Sequence, residues 1–150
     1  KLDLQVFFLK ENNDYWFVAT AWLASQNGIE TKYIYFQNDT DFKTKALSRY
    51  LAHTSTWLLR ADLLNDKLFF WNHRAEDLEF LLKIGVHTKC FCIDKVCSRY
   101  FITKSWDHCA NLFSNGIMGL YVTFLYRNSY PHFLHSFISR IYRCIRALVN

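Results

Sequence analysis

The residue types best suited to metal chemistry are gathered in the second half of the chain. They are Cys90, Cys92, Cys97, His108 and Cys109. Cys90 and Cys92 lie two residues apart in an alternating stretch that predicts a strand, so both sulfurs would point to one face. Structural zinc sites instead take two closely spaced ligands from each of two short motifs, which this spacing does not provide. We therefore expect buried free thiols, with a metal site at Cys90, Cys92 and Cys97 as the alternative.

Residues 105–109, with the letters SWDHC, invite comparison with zinc-dependent nucleic-acid deaminases. Those enzymes need a second cysteine three residues after the first and a His-x-Glu motif upstream. Position 112 is Leu, and no His-x-Glu motif precedes it. His108 and Cys109 are adjacent, so on a helix their side chains point apart and do not form a nucleophile–base pair. Since the sequence also lacks a glycine-rich phosphate loop and an evident carboxylate pair, it predicts no enzyme and no cofactor.

Basic side chains occur at two places where they could contact phosphate. The first group ends an aromatic run and immediately precedes a predicted amphipathic helix, whose later turn carries a lysine. The second group recurs every three residues along a predicted C-terminal helix. Such a row is either a solvated surface or a contact for RNA backbone or a membrane surface. The predicted RNA-binding residues are Asn72, His73, Arg74, Lys83, Arg140, Arg143 and Arg146.

Hydrophobic periodicity divides the chain into short strands and helices that would position these groups. Turns are predicted at residues 12–14 and at Asn27-Gly28, around an apolar stretch, 15–24, that must be buried. Gly85 is expected to end one helix, and Pro131 to start another. The predicted strands cover residues 2–9 (or an extended arm there), 31–36, 55–64, 89–96 and 100–102. The predicted helices cover residues 42–52 with a cap at 38–41, 75–84, 106–126 with a break near 115–116, and 133–149.

Composition limits the class of protein. A chain of 150 residues that is 51% hydrophobic fits one domain with a real core and excludes a disordered polypeptide. The net charge of +5 favours an anionic partner. Five cysteines without a secretory signal indicate a reducing compartment. The longest apolar run, residues 116–126, is shorter than the about 20 residues that span a bilayer, so no membrane partner is expected.

The segment after the first basic group has a recognisable pattern. The KH module clamps nucleic-acid backbone with a Gly-x-x-Gly loop that opens a helix. In its ribosomal form the loop is followed by Glu-Asp, an apolar residue, Glu and, two residues later, Leu. Residues 72–81 read Asn-His-Arg-Ala-Glu-Asp-Leu-Glu-Phe-Leu. The two glycines are replaced by Asn72 and Ala75, the intervening pair stays basic, and the remainder matches. The segment resembles the N-terminal domain of the small-subunit ribosomal protein S-three family.

Other parts of the chain follow the same order as that family. A short apolar start, an Asn/Asp turn and a Trp-Phe pair at residues 16–17 come first, and a helix with an acidic start and a basic end follows at 39–51. Three features depart from the family. Loss of both glycines keeps backbone farther from phosphate, the interval 55–72 is short for a strand pair, and the C-terminal domain is absent. That absence suggests a split or truncated gene, as in some mitochondrial genomes.

The resemblance implies an α+β fold with a small sheet packed by helices. Residues 39–150 would form a degenerate KH-like domain with C-terminal helices, and residues 1–38 an extended aromatic segment. The implied function is a structural constituent of the mitochondrial small ribosomal subunit, bound to ribosomal RNA in the head near the place where mRNA enters. The implied neighbours are proteins S-ten, S-fourteen and S-two, and a separately encoded C-terminal half. The alternative is a free-standing, mostly helical protein-interaction module, including one of viral origin, that binds no RNA.

The predicted phosphate clamp can be tested by reversing one of its charges. Arg74→Glu should weaken association with RNA, because it places a negative charge beside backbone phosphate. The measurement is incorporation of the variant into ribosomal particles, with Lys10→Glu, which lies outside the predicted site, as the matched control. Assembly of Arg74→Glu at the level of the unaltered chain would contradict the clamp.

Overall fold

The computed structural model describes residues 1–34, 36–48, 53–63, 75–101 and 106–149, except for the side chains of residues 63, 106–115 and 147–149. The helices within these ranges are α1 (Leu2–Glu11), α2 (Asp39–Lys45), α3 (Glu76–His87), α4 (Trp106–Leu125) and α5 (Phe133–Val149). The strands are β1 (Tyr15–Gln26), β2 (Ile29–Tyr33), β3 (Leu58–Leu59) and β4 (Lys89–Phe101). The predicted α+β class is confirmed.

The sheet is built around β1. Along one edge β1 runs parallel to β4, from the pair Tyr15 and Lys89 to the pair Ser25 and Phe101. It also pairs with two antiparallel partners, β2 along its second half and β3 at Phe17 and Val18. The sheet therefore contains both parallel and antiparallel pairs. In sequence, β1 precedes the predicted boundary at residue 38 and β4 follows it, so the sheet includes residues from both predicted segments.

The turn between β1 and β2 matches the predicted one. Asn27 and Gly28 have φ values of 51° and 79°, so both central residues of this two-residue hairpin are left-handed. A turn with both residues at positive φ follows the natural twist of a hairpin, and Asn-Gly is the pair that adopts it most easily. The hairpin register then places Gln26 opposite Ile29 and Trp22 opposite Tyr33.

Residues 2–9 form a helix, so the predicted strand or extended arm is wrong. Gln5 and Leu9 lie one turn apart and are both buried, which anchors one face of α1 against the sheet. The Gln5 amide donates hydrogen bonds to the carbonyls of Val18, at 3.1 Å, and Thr56, at 2.8 Å. Asp3 in the first turn and Lys10 in the last suit the helix dipole. The partial alternation of apolar and polar residues in this stretch suggested a strand, whereas the buried residues Gln5 and Leu9 have the four-residue spacing of a helix.

The main core lies between the sheet and helices α2 and α3. Asn38 caps α2 by accepting a hydrogen bond from the Asp41 amide at 3.0 Å, which confirms the predicted cap. The Asp39 carboxylate accepts one from the Cys90 amide at 3.2 Å and so ties the start of α2 to β4. The largest core side chains that are fully buried here include Phe17, Phe36, Phe42, Leu47, Leu81, Leu82 and Ile84.

Gly85 was expected to end a helix, but α3 continues through it to His87. The reason for a glycine here is close packing. A Cβ at position 85 would overlap the ring of Phe42 and approach the Tyr130 hydroxyl to 2.5 Å. That hydroxyl donates a hydrogen bond to the Leu82 carbonyl at 2.5 Å, so it cannot move away cheaply.

Further predicted boundaries change for local reasons. Of the predicted strand 55–64, the described residues 55–63 contain the two-residue β3 between 3-10 turns, because the Thr56 hydroxyl donates to the His53 carbonyl at 2.6 Å and favours a turn. The predicted helix 42–52 starts earlier, at Asp39, and ends at Lys45, whose carbonyl accepts from the backbone and side chain of Ser48. The aromatic run that precedes the first basic group lies outside the described residues.

The C-terminal helices also depart in detail from the prediction. Helix α4 runs unbroken through residues 115–116 because Gly116 packs against α5: a Cβ there would lie 2.6 Å from the Cys144 sulfur. Helix α5 starts at Phe133 and not at Pro131, since His132 is left-handed with a φ of 59°. Strand β4 is one element that extends to Phe101 and includes part of the predicted strand at 100–102.

Gly85→Ala tests whether close packing fixes this glycine. Alanine is the better helix former by about 1 kcal/mol, so an uncrowded site would be stabilised. Because the added methyl group meets Phe42 and Tyr130, we expect the free energy of unfolding to fall by about 1–3 kcal/mol. Chemical denaturation measures it, with Val86→Ala, an exposed neighbour in the same helix, as the control. A higher unfolding midpoint for Gly85→Ala would show that the site can expand.

Candidate nucleic-acid and protein interfaces

The predicted phosphate loop adjoins a helix that the structure contains. Asn72, His73 and Arg74 lie outside the described residues, and Ala75, which is buried, is the N-cap of α3 without a side-chain cap. The acidic first turn that the sequence predicted is present, with Glu76 and Asp77 at its start. The helix that such a loop would open is therefore in place.

Lys83, the next predicted contact, faces a carboxylate of its own helix. Its Nζ lies 3.5 Å from Glu79 Oε1, and the two side chains are 21% and 4% exposed. A buried carboxylate needs a nearby cation, so Lys83 contributes charge to the interior as well as to the surface. Burial raises the pKa of the hydroxyl of Tyr126, the residue that follows α4, and the nearby Glu79 charge raises it further, which places Glu79 close to the C-terminal end of α4.

Arg140 of the C-terminal basic row is directed into the protein. Its Nε donates to the Leu47 carbonyl at 2.6 Å, just beyond the end of α2. Gly119 of α4 gives it room, because a Cβ there would lie 2.9 Å from Nη1. Burial, and then the charge of Arg143, lower the pKa of the Arg140 guanidinium to about 10, so it remains charged at neutral pH. A cation is well placed at the carbonyl end of a helix.

The other two arginines of the row are exposed. Arg143 donates to the Ser48 carbonyl, next to the acceptor that Arg140 uses, and to the Ser139 hydroxyl at 3.1 Å. Arg146 lies in the last turn of α5. The structure thus brings Arg140 and Arg143 together at the end of α2. Contact of this row with phosphate stays a prediction. Two of its members, Arg140 and Arg143, donate hydrogen bonds to backbone carbonyls of the protein itself.

The apolar side of α5 faces solvent. Five of its large apolar residues form one stripe and are 37% to 68% exposed, and a matching stripe on α4 has four residues at 47% to 52%. The opposite side of α5 carries Ser136, Arg140 and Cys144 toward the protein. We call the two stripes together the outer face. Its residues are Ile117, Tyr121, Phe124, Leu125, Leu134, Ile138, Ile141, Tyr142 and Ile145.

An aromatic cluster lies where the β1–β2 hairpin and β4 extend beyond the core. Trp22 stacks on Tyr33 with ring centroids 4.7 Å apart, and the His53 ring contacts both Trp22 and the half-exposed Tyr100, which also contact each other. Such rings can stack on bases, but base-stacking sites also need a positive groove. Two nearby cations are instead neutralised, Lys32 by Asp94 and Arg99 by Glu30. The cluster is therefore a weaker candidate for RNA than the basic residues.

The cysteines of β4 are placed for packing. Cys90 and Cys92 are both buried, as the predicted shared face requires. Burial raises the pKa of the Cys92 thiol to about 12 and that of Cys90 further, so neither thiol is poised to ionise near neutral pH. Within the part of the chain that the structure describes, no three His, Cys, Asp or Glu side chains are grouped to hold a metal ion.

Comparisons with known proteins return no relative: no family model, no curated protein and no solved structure matches the chain. Among the described helices, none is both long enough and apolar enough to cross a bilayer.

Sequence reasoning treated the basic row of α5 as a surface, and it missed that Arg140 points into the protein while the apolar stripe faces solvent. Amphipathic helices normally turn their apolar side inward. The available signal was the pair Gly116 and Gly119 on α4, which lets Cys144 and the wide Arg140 side chain approach that helix closely. Glycine in a helix costs about 1 kcal/mol, so two of them three residues apart indicate a packed face.

Arg140→Ala separates an internal role from RNA binding. The change leaves the Leu47 carbonyl without its donor and removes the packed side-chain stem, so the free energy of unfolding should fall by about 1–3 kcal/mol. Arg146→Ala, at an exposed position of the same row, should change it by no more than about 0.5 kcal/mol. Thermal and urea unfolding of both variants provide the measurement. Equal effects of the two substitutions would contradict an internal role for Arg140.

Proposed function

We propose that this chain is a structural constituent of the mitochondrial small ribosomal subunit that binds ribosomal RNA and neighbouring small-subunit proteins. The observation that carries the proposal is the orientation of α5, which turns arginine toward the protein and its apolar stripe toward solvent. Exposing apolar surface costs roughly 25 cal/mol per Å². Another molecule that covered the stripe would remove this cost, which suits a component of a large assembly.

The RNA-binding part of the proposal is supported by charge. The chain has a net charge of +5, and no Asp or Glu follows Asp107, whereas four arginines do. A basic surface displaces condensed counterions from RNA and so gains affinity that depends on salt. His73 and Arg74 would supply a second basic contact at the start of α3, by the resemblance of residues 72–81 to a KH loop.

The role that follows is positional and involves no chemical step. Lys83, Arg143, Arg146 and the loop residues would neutralise phosphates, while the apolar surfaces would pack on neighbouring proteins. The resemblance to the S-three family points to the subunit head near the place where mRNA enters. Frequent aromatic residues, 19% of the chain, and five cysteines suit a protein encoded in an organelle.

A second candidate function is a protein-interaction module that binds no RNA. It is favoured by the hydrogen bonds that Arg140 and Arg143 already make to the Leu47 and Ser48 carbonyls. If these two arginines serve only to hold α5 on the domain, the C-terminal basic row has little capacity left to bind RNA phosphates. The outer face would then be the principal functional surface.

Sedimentation of native extract on a magnesium-containing sucrose gradient tests the proposal. We expect the chain to migrate with the small ribosomal subunit and to leave that fraction after EDTA and high salt, because magnesium holds the subunit together and salt weakens phosphate contacts. Detection of a known small-subunit protein in the same fractions is the control. Migration at the top of the gradient, as a free small protein, would overturn the ribosomal assignment and favour the interaction module.

A further inference from the structure

Helix α5 is attached to the domain differently along its length. At its start, Phe133 packs against the main core, and its ring lies 6.3 Å from that of Phe124 and 5.4 Å from that of Phe137. Of the described side chains from residue 138 onward, Cys144 is the one that is buried. The first turn of α5 is therefore anchored by apolar contacts, whereas the part beyond Phe137 is held mainly by polar ones.

Two polar groups on the inner side of α5 are buried without a hydrogen-bond partner. Arg140 uses its Nε to bond the Leu47 carbonyl, but its Nη2 has no partner, and neither has the Ser136 hydroxyl one turn earlier. Ser136 is only 1% exposed. A buried polar group that makes no hydrogen bond has lost those it would make with water. Both groups would regain them if this part of α5 moved away from the domain, so docking is opposed by groups that it buries.

Two guanidinium groups meet where α5 contacts the chain just beyond α2. Arg140 donates to the Leu47 carbonyl at 2.6 Å, and Arg143 donates to the Ser48 carbonyl. Burial, and then the charge of Arg143, lower the pKa of the Arg140 guanidinium. The docked position is therefore held by hydrogen bonds to two neighbouring carbonyls and opposed by loss of water and by repulsion between like charges. A balance of this kind leaves a small net preference for docking.

A hinge precedes the part of α5 that is held by polar contacts. Tyr130 is buried, and its hydroxyl donates to the Leu82 carbonyl at 2.5 Å, so the chain is fixed to the core there. Two residues later, His132 has a φ of 59°. A residue other than glycine is uncommon at positive φ and is strained there, and hinges are residues that absorb changes of φ and ψ. The helix beyond Phe137 can therefore separate from the domain while Tyr130 stays in place.

We propose that the part of α5 beyond Phe137 is a latch that alternates between a docked and a released position, and that RNA phosphate selects the released one. In the docked position, carbonyls of the protein occupy N–H groups of Arg140 and Arg143. In the released position both guanidiniums can bond phosphate in a bidentate manner. A ligand that binds one of two positions better shifts the equilibrium toward it. The inference rests on the proposed function in that the ligand is RNA.

An engineered disulfide can lock the latch in the docked position. A Cβ at position 116 would lie 3.8 Å from the Cβ of Cys144, which is about the separation of these atoms in disulfides. Gly116→Cys should therefore link α4 to α5 when oxidised glutathione takes up the two electrons and two protons of the thiols. The matched control combines Gly116→Cys with Cys144→Ala, which keeps the added thiol but removes its partner. Mass spectrometry of tryptic peptides verifies the bond.

Two measurements on the whole chain follow the latch. We expect the disulfide to slow amide hydrogen exchange of residues 138–146 at least about tenfold and to leave exchange in α3 unchanged. The affinity for fluorescein-labelled oligouridylate, measured by anisotropy, should fall at least about fivefold on oxidation and recover on reduction. The control variant should show neither change. Exchange of residues 138–146 that the disulfide does not slow, or RNA affinity that it leaves equal or raises, would overturn the proposal.

If the locked variant fails to fold, Ser136→Ala replaces it. Removing a buried hydroxyl that has no partner favours docking, so exchange of residues 138–146 should slow by about twofold or more, and RNA affinity should fall. Ser139→Ala makes the same gain in helix propensity on the same helix and is the matched control. Equal effects of the two substitutions on exchange would overturn the proposal.

The failure of this inference can be distinguished from failure of the proposed function. RNA affinity that the disulfide lowers, in a chain that sediments at the top of the gradient, would support the latch and reject the ribosomal role. Sedimentation with the small subunit by a chain whose RNA affinity the disulfide leaves unchanged would do the reverse.

Discussion

The parallel pairing of β1 with β4 is the constraint on which the rest of the structure depends. It joins two segments far apart in sequence, and a parallel pair requires a long crossover connection. The intervening residues supply that connection and include α2 and α3, which cover the sheet. Phe17 and Cys90, partners in the register, are both fully buried beneath these helices. The Asp39–Cys90 hydrogen bond then fixes α2 against the second strand of the pair.

Beyond the sheet, the C-terminal helix pair is attached through polar groups as well as apolar ones. Burying the Arg140 guanidinium is unfavourable, and the nearby charge of Arg143 adds to the cost. The Leu47 carbonyl, just beyond the end of α2, accepts a hydrogen bond from Arg140 and offsets part of the cost, and Gly119 on α4 makes the space. The consequence is that α5 rests on the domain through its polar side. Its apolar stripe is left for an external contact, which an apolar-inward helix would not provide.

Sequence patterns predicted the elements that local chemistry determines. The Asn27-Gly28 turn, the cap at Asn38 and the helix at residues 75–84 follow from backbone preference and periodicity. The errors arose where tertiary contacts determine the local structure. Residues 2–11 form helix α1, which packs against the sheet, and Gly85 lies within α3 because the Phe42 ring leaves no room for a side chain. Periodicity also could not predict that Arg140 points into the protein, because the spacing of residues defines the faces of a helix but not which face is covered.

The separation of β1 from β4 has a consequence for how the chain folds as it is made. At about 5–20 residues per second, residues 27–101 take roughly 4–15 s to synthesise. During that interval one edge of β1 has no partner, and the run Val18-Ala19-Thr20-Ala21-Trp22 is apolar and rich in strand-forming residues. Contacts this distant in sequence form slowly even afterwards. Until β4 is made, that edge of the nascent N-terminal third is open to pairing with another copy.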